Sequence, residues 1–360
     1  MPRLDSFLRV VVEQNASDLH FSSGAVPYIR RDGGLEALPF RLLSEVEARR
    51  FLFEPLEPEQ LERLAEEQTL DFVHAIEGVG RFRGNIFMHA GGIGSVFRII
   101  PDRAPPVERL GIPKAAENLV QLQNGLVLVC GPTGAGKTTT VAAMLDMLNE
   151  RTRRHIITVE DPIEFLHTSK ESVVSQRQVG RHTQGYAAAV KAALRESPDV
   201  LLVGEMRDSE TVTLALTAAD QGVLVFGTLH ASSASQAVLR LLDLFDESHR
   251  KEAQHILATQ LQGVIAQRLL RRASGEGRTP VVELLLKTPA VEQLIRDGKV
   301  HQLEALLHSQ EMRDLGMSSF RHALAQLVHS GIVDLDEAKA SAEDPDALLE
   351  ELAELAARTP

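Results

Sequence analysis

The chain is poor in the residues that build disulfide frameworks, metal knuckles and membrane spans. It holds a single cysteine, Cys130, in 360 residues, so an intrachain disulfide and a cysteine-ligated zinc site are both excluded. Cys130 ends the apolar run Leu126–Cys130, where a thiol reads as a small core residue rather than a ligand or nucleophile. Tryptophan is absent and tyrosine nearly so, with 2 in the whole chain, which leaves little for an aromatic platform that stacks bases. Basic residues are outnumbered, 38 Lys and Arg against 50 Asp and Glu, for a formal net charge of -12. That balance repels nucleic acid unless a basic patch is concentrated locally, and only 151–154 and 268–272 gather arginines. No apolar run approaches the roughly 18–20 residues that span a bilayer. Glu13 interrupts the short apolar stretch near the start, so neither membrane insertion nor a secretory signal is expected, and a cytoplasmic location is.

What is present suits a folded globular protein: 44% hydrophobic and 24% charged residues. The length is generous for one core, so two domains and a smaller third segment are expected. Residues 1–100 read as a small α+β domain. Its strands are Asp18–Ser22, Val26–Arg31 with a Gly33-Gly34 turn, Leu70–Ile76, Gly80–His89 and Gly94–Ile100, with two helices between them. Residues 101–113 carry four prolines and little periodicity, the composition of a linker. From 114 to 285 the pattern becomes α/β: the apolar runs Leu126–Cys130, Ile156–Val159, Val200–Val203 and Val223–Phe226 suit strands buried on both faces of a mostly parallel sheet. After about Ser248 the sequence reads as mostly helical, with Glu252–Leu270, Ala290–Asp297, Ser319–Val328 and Pro345–Ala357 as helices, so that 286–360 forms a helical C-terminal segment.

The chemistry starts at Gly131-Pro132-Thr133-Gly134-Ala135-Gly136-Lys137-Thr138, followed by Thr139. The run fits the phosphate-binding pattern G-x-x-x-x-G-K-[ST], and it stands between an apolar strand and a helix with Val141, Met144, Leu145 and Leu148 on one face. Backbone N–H groups and the helix N-terminus would cradle phosphate, Lys137 would neutralise the β and γ phosphates, and Thr138 would offer its hydroxyl to Mg2+. ATP and Mg2+ are the implied cofactors.

Three later strands run into polar residues, and in a parallel sheet the carboxyl ends of strands gather where ligands bind. They lead to Glu160-Asp161-Pro162-Ile163-Glu164, to Gly204-Glu205-Met206-Arg207-Asp208 and to Gly227-Thr228-Leu229-His230. Glu205 is the candidate for orienting the attacking water. Glu160 and Glu205 join Thr138 as Mg2+ ligands, partly through water, and His230 is a γ-phosphate sensor. Acidic residues after a strand also serve as plain helix caps, and a histidine at a strand end as a structural group.

At these residues the sequence resembles the secretion ATPase superfamily, and within it the type IV pilus retraction, or twitching motility, ATPases. The resemblance runs over nearly the whole chain: Ala16-Ser17-Asp18-Leu19-His20, Arg81-Phe82-Arg83, Val96-Phe97-Arg98, the phosphate-binding loop, the acidic box from Glu160 to Phe165, the atypical Walker B from Val203 to Asp208, and the histidine box ending at His230. It implies a PAS-like N-terminal domain joined to a RecA-like ATPase domain, working as a homohexameric ring that retracts pili by depolymerising pilin. It also implies catalytic roles for Glu205, Glu160, Glu164 and His230, and arginines of the first domain, Arg83 and Arg98, that reach the phosphates. A pilus platform protein at the inner face of the cytoplasmic membrane and a paralogous retraction ATPase are the implied partners. Residues 290–299 resemble the helix that retraction ATPases need for motility. Three positions depart from the family pattern: Val223 replaces the first histidine of the histidine box, Ser197 an acidic residue, and Glu292-Gln293 a basic and an amide residue. Two other functions compete with retraction: a weakly active or regulatory ring subunit, and a nucleic-acid translocase.

Overall fold

Alternation along the N-terminal strands already shows which face of their sheet is covered. In the computed structural model, which describes residues 2–31, 34–100 and 103–358, Leu70, Phe72, Phe82, Ile86 and Phe97 are buried while Thr69, Asp71 and Arg98 point away. This unit comprises residues Met1–Arg103 together with Glu164–Leu166. Its elements are α1 (Leu4–Glu13), β1 (Asp18–Ser22), β2 (Tyr28–Arg31), β3 (Gly34–Ala37), α2 (Glu45–Phe53), α3 (Pro58–Glu67), β4 (Thr69–Ile76), β5 (Gly80–His89) and β6 (Gly92–Ile100). The strands form a six-stranded sheet in the order β3-β2-β1-β6-β5-β4. Leu4, Leu8 and Val11 of α1, and Ala48, Phe51 and Leu52 of α2, close the core against it. Helix α2 starts where Ser44 and Glu47 form a reciprocal capping box. Helix α1 lacks such a signal, since Arg3 at its N-cap makes no side-chain cap, and neither it nor β3 is among the elements expected from the sequence. Gly33, half of the expected turn, and Pro101 and Asp102, at the start of the expected linker, lie outside the described residues.

The second unit comprises Ala104–Ile163 and His167–Pro360. Its elements are α4 (Lys114–Glu117), β7 (Gly125–Cys130), α5 (Lys137–Arg151), β8 (His155–Glu160), β9 (Val173–Gln178), α6 (Tyr186–Ala193), β10 (Val200–Val203), α7 (Ser209–Asp220), β11 (Leu224–Leu229), α8 (Ala234–Asp243), α9 (Glu247–Gln260), β12 (Leu261–Arg271), β13 (Arg278–Leu286), α10 (Pro289–Arg296), α11 (Leu303–Leu307), α12 (Gln310–Asp314), α13 (Phe320–His329), α14 (Leu335–Ser341) and α15 (Pro345–Arg358). Seven strands make one sheet, ordered β13-β12-β7-β11-β10-β8-β9. Each pairing is parallel except β12 with β13. The apolar runs are continuous because both faces are covered. Leu126, Leu128 and Cys130 face one core with α7, α8 and α9, while Val127 and Val129 face another with α5. Burial pushes the Cys130 thiol well above its ordinary range, consistent with a core role. Residues that read as linker also join this unit, with Val107 in the α5 core.

The run Glu252–Leu270, read as helix, is not one. It is helical only to Gln260, and from Leu261 it is β12, which pairs parallel with β7 and antiparallel with β13. An apolar stretch buried on two faces carries no period that tells helix from strand, and here the open edge of β7 decided the matter. Strand β9 is not among the expected strands, since it is an edge strand of mixed exposure with no apolar run. Helices α13, α14 and α15 then pack Leu324, Ala325, Ala338 and Leu348 on Leu270 and Val281 of the β12–β13 hairpin.

Candidate active site

Strand register brings the expected residues to one edge of the second unit. Leu229 pairs with Cys130, Val203 with Gly227, and Val203 with Val159, so the residues that follow, Gly131, Gly204-Glu205 and His230, emerge side by side with Glu160. Glu160 is the last residue of β8 and Gly227-Thr228-Leu229 belong to β11, so these stand within their strands rather than after them as the sequence reading had it.

The phosphate-binding loop leaves β7 at Gly131, where only glycine fits: φ is +153°, and a Cβ would come within 2.3 Å of the Gln267 carbonyl oxygen. Lys137 opens α5, and its Nζ donates to the carbonyls of Gly131 (2.8 Å) and Pro132 (3.1 Å), with Nδ1 of His230 at 3.3 Å. Partial burial pulls the pKa of its ammonium down, and Glu205 partly offsets this. Pro132, Thr133, Gly134 and Thr138 are exposed, Ala135 is buried, and Gly136 and Thr139 are intermediate.

Glu205 is held by bonds on either side of it. Thr228 donates its hydroxyl to the Gly204 carbonyl, and the Met206 N–H donates to the Thr228 carbonyl at 2.9 Å. The Met206 side chain fills the space beside Gly227, its Cε 2.2 Å from where a Cβ on that glycine would fall. One carboxylate oxygen of Glu205 accepts from Arg207, and the other is 3.5 Å from Nε2 of His230. Arg207 holds the Glu205 carboxyl below the usual range, helped by His230 and Lys137, so the group is ionised at neutral pH. A cleft of about 360 Å³ opens beside Glu205 and His230 and is lined also by Arg207 and Arg240.

Glu160 is 8% exposed, and its Oε1 accepts from Thr158 (2.7 Å) and Gln176 (3.0 Å). The remaining candidates lie in the first unit. Arg83 and Arg98 face each other across β5 and β6. Arg98 bonds the buried Asp18 at 2.7 Å, and Arg83 bonds Glu164 at 3.2 Å. Sequence reasoning missed Arg207, the partner of Glu205, and Gln267, which is 1% exposed and donates from Nε2 to the Ala135 carbonyl at 2.5 Å. Both were visible as signals: an arginine inside the Walker B box, and a lone amide inside an apolar run.

Val223 stands apart from this cluster. It is buried in the core just before β11, at the opposite end of that strand from His230, about 20 Å away at the usual rise of a strand. The departure from histidine therefore removes nothing from the phosphate side of this chain.

A hydroxyl at a helix start and an ionised carboxylate fit a Mg2+ ion that takes its other ligands from phosphates and water. Among the described residues no group of three or more His, Cys, Asp or Glu could cage a metal ion unaided.

A parallel sheet with a phosphate-binding loop after β7, an ionised glutamate after β10 and a histidine after β11 defines a P-loop ATPase. The chain belongs to the family described as Type II/IV secretion system protein, whose pattern it matches over residues 2–340. It is 41% identical to the type IV pilus retraction ATPase PilT of Pseudomonas aeruginosa, over 95% of this chain and 99% of that one. It is 38% identical to a twitching motility protein of Neisseria gonorrhoeae, over 95% and 91% of the two chains. Among solved structures, the pilus retraction motor PilT with bound ADP superposes with a TM-score of 0.88 at 38% identity, covering 97% of this chain and 99% of that one.

Proposed function

We propose that this chain is the ATP-hydrolysing motor of type IV pilus retraction, working as a homohexamer that depolymerises pilin. The observation that carries this reading is the gathering of Lys137, Glu205 and His230 within 3.5 Å contacts at the phosphate-binding loop, in a chain that matches retraction ATPases over nearly all its length.

The backbone of Gly131 to Thr139 wraps the phosphates, and Lys137 exchanges the carbonyls of Gly131 and Pro132 for the β and γ phosphate oxygens. Thr138, Glu160 and Glu205, partly through water, would hold Mg2+, which would supply charge neutralisation on the phosphates. Glu205 orients the attacking water, and His230 reports the state of the γ phosphate to α8. Arg83, Arg98 and Glu164 are given catalytic roles by the family resemblance, which implies that the arginines supply positive charge to phosphate. A conformational change on nucleotide binding and hydrolysis then converts turnover into displacement. Among the described residues no helix is long and apolar enough to cross a membrane. On its likeness to retraction ATPases we place the ring in the cytoplasm, docked on a pilus platform protein and working with a paralogous ATPase. The buried position of Val223 weighs against the regulatory-subunit alternative, and the net charge of -12 against a nucleic-acid translocase.

The test is ATP turnover and solution mass of the purified chain, with twitching of cells that carry it as their sole retraction ATPase. Turnover lost in Lys137→Ala, a particle of about six subunits, and motility restored by the wild type alone are the expected results. Turnover without motility would refute the retraction assignment while leaving the ATPase intact.

A further inference from the structure

The loop that carries His230 is anchored from a direction the motifs do not reveal. Helix α8 begins four residues after His230, and the N–H of its first residue, Ala234, donates to Oε1 of Glu283 at 2.7 Å. Glu283 comes from the middle of β13 and is 5% exposed. Its other oxygen, Oε2, accepts from the N–H of Phe320, the first residue of α13, at 3.4 Å. One buried carboxylate therefore meets the positive ends of two helices, α8 behind the His230 loop and α13 in the C-terminal segment.

Arg268 makes the same link a second time. Ala266 pairs with Glu283 and Arg268 with Val281 across the hairpin, so Arg268 and Glu283 share a face. The guanidinium donates to the Ser232 carbonyl at 3.2 Å, two residues after His230. It also donates to the Ser341 carbonyl and the Glu343 carboxylate, each at 3.1 Å, at the connection between α14 and α15. It stacks 4.5 Å from the ring centroid of Phe320 as well. The planar fork of an arginine can hold these partners together, and a lysine ammonium cannot.

We propose that Arg268 and Glu283 are positioning residues through which the C-terminal helices set the place of His230 relative to Glu205 and Lys137. Neither residue bonds the phosphate-binding loop or Glu205 directly. They act on residues 232 and 234, and through them on a histidine that lies 3.3 Å from Lys137 and 3.5 Å from Glu205. The C-terminal helices thereby become part of the catalytic apparatus, and a ligand or partner that moves α13 or the α14–α15 connection would change the rate of hydrolysis. This inference rests on the reading of Glu205 and His230 as the groups that act on the γ phosphate.

The experiment is steady-state ATP hydrolysis by the full chain carrying Arg268→Ala, Phe320→Leu, or both, with His230→Ala and Glu205→Gln in parallel. Phe320→Leu keeps apolar bulk and removes the stacking from the C-terminal side, so the test survives if Arg268→Ala fails to fold. Arg268→Ala is expected to lower kcat about tenfold with KM within about twofold of wild type, because a displaced catalytic group costs rate rather than substrate binding. Phe320→Leu should lower kcat in the same direction, and the double variant should fall little below Arg268→Ala, as expected of residues in one linkage. The inference is overturned if kcat stays within about twofold of wild type in Arg268→Ala and Phe320→Leu while His230→Ala loses activity, or if the two losses add. If His230→Ala and Glu205→Gln also leave kcat unchanged, the catalytic reading of the loop has itself failed.

Discussion

The loops after β7, β10 and β11 and the β12–β13 hairpin serve the same site by different rules. In the loops, each functional group follows its strand within a few residues: Lys137 opens the helix after Gly131, Glu205 follows Val203 by two, and His230 follows Leu229 directly. Local chain order places them. In the hairpin, Gln267, Arg268 and Glu283 stand mid-strand in apolar runs, and they reach the loops only because β12 pairs beside β7. The contrast separates the groups proposed to do chemistry from the groups proposed to hold them. The first are encoded as motifs, and the second as isolated polar residues whose partners lie far along the chain.

That division can be tested by the size and kind of each loss. Glu205→Gln should have the largest effect, lowering kcat about a hundredfold or more with ATP binding retained, measured by single-turnover hydrolysis beside an ADP titration. Loss of nucleotide binding instead would make Glu205 a structural acid. Gln267→Leu should show the opposite split. With the Ala135 carbonyl left buried and unpaired, ADP affinity should weaken about tenfold and the kcat of saturated protein should change less.

Glu283 gives a pH signature. Burial, with smaller contributions from Glu304 and Glu343, pushes its carboxyl up to about 7, against the bonds from Ala234 and Phe320 that favour ionisation. A carboxyl that binds its proton more tightly when folded stabilises the fold fully below the unfolded pKa near 4.5, and that stabilisation is lost as pH rises through 7. The stability of wild type relative to Glu283→Gln should therefore fall between those pH values, read as the difference in urea midpoints; a flat difference would mean that Glu283 titrates normally.

The smallest effect belongs to a loop outside both regions. Ser197 is exposed and has φ of +53°, a conformation that asparagine adopts more readily. Ser197→Asn should stabilise by about 0.5–1 kcal/mol without changing turnover, and a destabilised variant would show that the serine hydroxyl is needed.

Much of the site was legible because its residues are contiguous. Gly131 to Thr139 announces a phosphate cradle through glycine spacing and flanking elements, and strand ends locate Glu205 and His230. Arg207 stands inside a motif, yet its pairing with Glu205 depends on a side-chain geometry that no spacing reveals. The Glu252–Leu270 run shows where reading failed: a strand buried on both faces is as uniformly apolar as a buried helix. Val223 is legible at the start of its apolar run and His230 beyond its end; the structure adds that the Val223 side chain is buried in the core.

The sequence by itself determined the nucleotide chemistry, the α/β class of the core and the family resemblance, because glycines, a lysine and acids at fixed short spacings leave few other structures open. Only the tertiary structure decided that 261–271 is a strand, that Gln267 lies under the phosphate-binding loop, and that Glu283 and Arg268 tie residues 232–234 to 320–343. Those are contacts across tens of residues, set by which strand fills the open edge of β7, and that choice is made by burying two faces at once rather than by any local preference.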